Sequence, residues 1–121
     1  MEFFNDHNEA FWDAFDELAA TCEIVIDRAK GTAHPRMTDI IYPLDYGYLE
    51  ETTAGDGMGI DVWLGSKPEK RVTAIGCTVD RLKRDAEVKV MLGCADDDLQ
   101  TISHFLNQVV GLPCLIIRRT S

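Results

Sequence analysis

The 121 residues carry 45% hydrophobic and 27% charged side chains and a formal net charge of −9, the make-up of one soluble globular domain spanning 1–121. An acidic balance of that size excludes a surface built for nucleic acid, because a polyanion needs a basic stripe to bind. A phosphate-bearing substrate would need bound cations to reverse the local field.

No stretch reaches the roughly 20 apolar residues of a membrane span. Asp6, Glu9, Asp13 and Asp16 interrupt any apolar run at the start. Neither a signal peptide nor a membrane partner is expected, and a cytoplasmic location is. Cys22, Cys77, Cys94 and Cys114 include no Cys-x-x-Cys pair, which points to reduced thiols packed in apolar strands rather than to zinc ligands.

In chain order, Phe11, Phe15 and Leu18 fall at helical spacing across 8–20, with Asp13, Asp16 and Glu17 on other faces. Asn5 or Asp6 suits the N-cap. "CEIVIDR" alternates as a strand, and the Gly, Thr, His and Pro of 31–37 predict a loop. "DIIYPLDYGYLE" reads as a short strand, a Pro-directed bend and a second extended piece. "AGDGMGIDVW" runs a Gly-rich acidic turn into the strand "IDVWLGS".

"KPEKR" then turns into "VTAIGCTV", apolar enough to be buried on both faces. "DRLKRD" leads to "AEVKVMLG", where Ala86, Val88, Val90 and Leu92 face one way and Glu87, Lys89 and Met91 the other. A last helix begins near Asp96, with Asp97 and Asp98 complementing its dipole and Leu99, Ile102, Phe105, Leu106 and Val109 as its apolar stripe. Gly111 and Pro113 end it, and "CLIIRR" is a final strand. Five or six short strands with two helices predict an α+β domain around a small, curved antiparallel sheet or barrel.

Asp56 and Asp61 stand five apart, as do Asp80 and Asp85. Four carboxylates brought to one rim raise each other's pKa unless a cation joins them. Magnesium suits that task, since it takes oxygen ligands and shares them with water and substrate phosphate. The plainer alternative is that all four are turn residues. Arg28, Lys30, His34 and Arg36 form a basic cluster within nine residues, and "YPLDYGY" adds three phenols. Both suit phosphate oxygens, and both have plain alternatives, a solvated loop and sheet packing.

"YPLDYGYLEETTAGDGMGIDVW" resembles the soluble, magnesium-dependent inorganic pyrophosphatases, which carry a Tyr-Pro-x-Asn-Tyr-Gly segment followed by Asp-Gly-Asp-Pro-x-Asp-Val. "GCTVDRLKRDAEVK" is similar to that family's later segment, and the likeness runs in order over 24–90. The resemblance implies a five-stranded, OB-like antiparallel β-barrel with flanking N- and C-terminal helices. It implies hydrolysis of inorganic pyrophosphate to two phosphates by a metal-activated water. Mg2+ would be held by Asp56, Asp61, Asp80 and Asp85, with Asp27 in place of a family glutamate. Asp56, Asp61, Tyr46 and Lys30 would carry catalysis. Lys30, Arg36, Tyr42, Tyr46 and Lys89 would bind the phosphates. A homo-oligomer is also implied, with Phe3, Phe4 and Trp12 offering apolar surface.

The chain departs from the family pattern at several positions. Met58 stands for the middle aspartate, Gly59 for the proline and Asp45 for the asparagine. A hairpin before the tyrosine segment is largely missing. The family lysine falls on Glu87, with Lys89 one strand alternation further on. A C-terminal tyrosine-lysine pair is absent, with Arg118 and Arg119 in that region. Asp45 is a candidate to replace the lost carboxylate. These changes leave two further readings open: hydrolysis of another phosphoanhydride or phosphate ester, or a non-catalytic metal- or phosphate-binding homologue.

Overall fold

The computed structural model describes residues 8–119. Asn8 opens the first helix, its Oδ1 accepting the Phe11 N–H at 2.9 Å, and α1 runs Glu9–Thr21. Asn5, Asp6, Phe3 and Phe4 lie outside the described residues. Trp12 is only 7% exposed. It belongs to the core, which corrects its expected place on an association surface.

Six strands follow: β1 (Ile24–Arg28), β2 (Asp45–Leu49), β3 (Asp61–Leu64), β4 (Val72–Asp80), β5 (Asp85–Leu92) and β6 (Cys114–Arg118). They form one sheet in the order β1-β2-β3-β5-β4-β6. Every pairing is antiparallel except β3 with β5. Six strands in an open sheet replace the expected five-stranded barrel, and β1 and β6 are its edges.

The physical reason lies in the loop 29–44. It folds on itself through the isolated bridge Ala33 to Ile41 and through backbone hydrogen bonds joining Gly31 and Thr32 to Tyr42 and His34 to Ile40, and it adds no strand to the sheet. β1, β2, β3 and β6 span only four or five residues, and β1 and β6 at the two edges do not pair with each other, so the sheet stays open. Gly47 permits the tightest of several close approaches. A Cβ there would stand 1.8 Å from the Val25 carbonyl oxygen, so only glycine lets β1 and β2 come together at that point.

The period of two along each strand gives the sheet two faces. On one, Leu49, Val62, Ile75, Val90 and Leu92 pack with Trp12 and Ala19 of α1. On the other, Trp63, Ala74 and Met91 pack with Tyr42 and the second helix. That helix, α2 (Asp96–His104), continues as a π turn, Phe105–Val110. Trp63, Leu49, Met91 and Val90 are fully buried, each worth about 1.5–3 kcal/mol.

Leu99, Ile102, Phe105 and Leu106 are buried as the helical stripe requires, yet Val109 is 45% exposed. The wider π turn carries Val109 off the apolar face. Asn107 fastens this segment to β6: its Nδ2 donates to the Ser103 and Cys114 carbonyls, and its Oδ1 accepts the Cys114 N–H. All four cysteines are free. Among the described residues no helix is long and apolar enough to cross a membrane.

Candidate functional site

The second helix packs on Trp63, Ala74 and Met91, at one end of its sheet face. Polar side chains gather at the other end. β3 and β5 run parallel with Val62 opposite Val90, so Asp61 at the start of β3 lies beside Lys89. Along β5, Asp85, Glu87, Lys89 and Met91 share a face. Tyr46 comes from β2, paired with Trp63, the two rings 4.7 Å apart.

Lys89 Nζ is the centre of this group. It donates to Tyr46 Oη at 2.9 Å, Asp61 Oδ2 at 3.0 Å and Glu87 Oε2 at 3.4 Å. Its side chain is 6% exposed. Burial alone would lower the Lys89 pKa, but Tyr46 and Asp61 outweigh it and raise it above the usual lysine range. Burial raises the Tyr46 phenol above its usual range. Tyr46 is therefore neutral near pH 7 and acts as a hydrogen-bond acceptor, leaving Asp61 as the charge that holds the ammonium.

The turn 54–59 leads into Asp61 and borders this polar end of the sheet, its acidic mouth. Ala54 N–H donates to the Met58 carbonyl, Gly57 N–H to that of Ala54, and Met58 N–H to Asp56 Oδ1 at 2.9 Å. Gly57 has φ +84°, a value that favours glycine. The Met58 side chain is 68% exposed and brings no oxygen to the site. Asp56 lies within hydrogen-bonding reach of Glu87. That bond, then the Met58 N–H, pushes the Asp56 pKa down, while the same bond and then burial push Glu87 up.

Asp80 and Asp85 face each other where the β4–β5 hairpin begins and ends. Asp80 Oδ1 accepts the N–H groups of Leu82 and Lys83 at 3.0 Å, so it does cap the turn. Both aspartates stand on the face of Glu87, further from Lys89. Asp27 is exposed, at the bulge between Ile26 and Arg28. Asp45 Oδ1 accepts the Lys30 N–H at 2.8 Å. Asp45 pairs with Leu64, whereas Asp61 pairs with Tyr48 at the opposite end of β3. Lys30 is exposed on that same far side, where its charge helps hold down the Asp98 pKa.

Other basic groups surround Tyr42. Arg28 Nη1 donates to Tyr42 Oη at 2.8 Å, and His34 stacks on the same ring at 6.1 Å. Burial, then Arg28 and Arg36, lowers the His34 pKa. Tyr42 in turn lies 5.8 Å from Tyr46. A chain of contacts thus links Arg28 to Lys89 through two phenol rings. Arg36 is exposed at its outer end.

Whether these donors suit magnesium depends on their chemistry. Among the described residues no three Asp, Glu, His or Cys side chains are placed to share one ion. The set of four aspartates is not assembled. Magnesium, however, needs only one or two carboxylates when water and substrate phosphate complete its shell. Asp56 and Glu87 meet that condition: each shifts the other's pKa, Asp56 down and Glu87 up, as neighbouring carboxyls do, and a divalent ion between them would let both stay anionic. Glu87 has no place among the donors named from the sequence. The Asp85-Glu87-Lys89 alternation was the signal that could have found it.

No protein-family model matches the chain, and no curated protein matches it. A solved structure does. It is an inorganic phosphatase from Anaplasma phagocytophilum, with a TM-score of 0.52 at 18% identity, covering 78% of this chain and 81% of that one. The two share a fold.

Proposed function

We propose that the chain hydrolyses a phosphoanhydride bond in a small phosphate compound, inorganic pyrophosphate first, with Mg2+ as cofactor. The observation that carries this reading is the meeting of Asp56, Asp61, Glu87, Tyr46 and Lys89 at one open sheet end, in the fold of an inorganic phosphatase. Asp56 and Glu87 would hold the ion. When bound, it would neutralise phosphate oxygens and make water a stronger nucleophile.

The chain's own residues do the positioning. Lys89 and Tyr46 fix Asp61 in place and keep its charge at the mouth. Arg28 and Arg36, across the Tyr42–Tyr46 pair, supply the cations for a phosphate, Arg through paired N–H donors. The phosphate-binding part assigned to Lys30 passes to Arg28, because Lys30 faces the far end of β3. Asp45 is engaged there too, so it does not compensate for Met58.

A second reading, a homologue that binds phosphate or metal without turnover, is favoured by the exposed Met58 thioether. Orthophosphate release from pyrophosphate, nucleotides and phosphate esters, each with and without magnesium, tests both. Release from pyrophosphate that needs magnesium supports hydrolysis. Binding of pyrophosphate by calorimetry with no release from any compound selects the second reading, and release from an ester alone moves the substrate class. We further propose self-association through β6, an edge strand whose Leu115 and Ile117 are exposed.

A further inference from the structure

An ammonium has three N–H donors, and those of Lys89 meet three acceptors: Tyr46 Oη, Asp61 Oδ2 and Glu87 Oε2. Nothing is left over for a ligand. On β4 the residue opposite Lys89 is Gly76, so no side chain from that strand shares the space. The result is one buried positive charge wedged between carboxylates of two strands, β3 and β5.

We infer that Lys89 is a built-in cation, tethered to the fold, that takes the position on Asp61 which a divalent ion would need. Asp61, held at 3.0 Å, is thereby withheld from any metal that binds at the mouth, whereas Glu87 is held less closely, at 3.4 Å, and also interacts with Asp56. A divalent ion reaching Asp61 would have to displace a saturated ammonium or sit against it, and two cations at contact distance repel strongly in a partly buried site. The inference does not depend on the proposed hydrolysis. It is read from cation binding with no substrate present, so an inactive chain leaves its test intact.

The test uses manganese as the probe, with free Mn2+ counted by electron paramagnetic resonance. Lys89→Met removes the charge while keeping a long unbranched side chain. It is expected to bind manganese about tenfold more tightly than the wild-type chain, a gain within the range of coupled neighbours. Lys89→Gln, which keeps hydrogen bonds to its neighbours, is expected to gain likewise and serves if the methionine variant does not fold. Asp61→Asn combined with either Lys89 variant should cancel the gain. A gain that persists when Asp61→Asn is added to a Lys89 variant would overturn the inference. So would Lys89 variants that fold and bind manganese no more tightly than wild type.

Discussion

Burial raises the Tyr46 pKa, whereas for Lys89 burial works the other way and Tyr46 and Asp61 overcome it. Both groups have pKa values above their ordinary ranges, so the folded state holds their protons more tightly than the unfolded chain does. That stabilisation is complete below about pH 10, the unfolded values, and fades as pH rises through the folded ones. Phenolate absorbance should therefore contain a component that titrates above the usual tyrosine range and disappears in Tyr46→Phe. The same substitution removes one acceptor from Lys89 and should cost about 1 kcal/mol in urea unfolding. A Tyr46→Phe chain with an unchanged alkaline titration would disprove this arrangement. Alternation along "AEVKVMLG" put Glu87 and Lys89 on one face from residue order alone. Their contact with Asp61 was not legible, because it needs the parallel pairing of β3 with β5, which lies between distant segments and leaves no local pattern.

At the level of elements, Asp98 ties α2 to the β3–β4 connection. Its Oδ2 accepts from Ala95 N–H at 2.8 Å, Ser66 N–H at 2.9 Å and Ser66 Oγ at 2.8 Å. Burial pushes its pKa up, but these hydrogen bonds prevail and hold it below the usual carboxylate value. Stability from Asp98 is present above the unfolded value of about 3.9 and is lost as pH falls through the folded one. Asp98→Ala should lower stability by about 2 kcal/mol at pH 7, with a smaller difference from wild type in acid. Equal losses at pH 7 and pH 3 would count against the charged role. The helix start near Asp96 was readable from its acidic first turn. The π turn was not, since it goes with the hydrogen bonds of Asn107 to Ser103 and Cys114 and not with the apolar period, and Val109 was misplaced for that reason.

Among the described residues, the open sheet carries α1 on one face and α2 on the other, with the acidic mouth at one end of the α2 face and β1 and β6 as its edges. Leu115 is 65% exposed beside Ile117 on the β6 edge. Leu115→Lys should shift sedimentation toward the monomer, as charges on an edge strand oppose pairing, and a wild-type chain that is monomeric at all concentrations would end that proposal. The α+β class and the order of strands and helices were legible because each element has its own period and stop signal. Openness was not, because barrel closure depends on the length and tilt of strands that no single segment reveals.

The mouth is the central claim, and Asp56 tests it most directly, being exposed on a turn and replaceable without disturbing the core. The decisive measurement is orthophosphate release from pyrophosphate in magnesium by the wild-type chain and by Asp56→Asn. The account predicts magnesium-dependent release that falls about a hundredfold or more in the variant, the scale of losing one catalytic contribution. Release undiminished in Asp56→Asn would contradict it, as would a wild-type chain that binds pyrophosphate with magnesium and releases no phosphate.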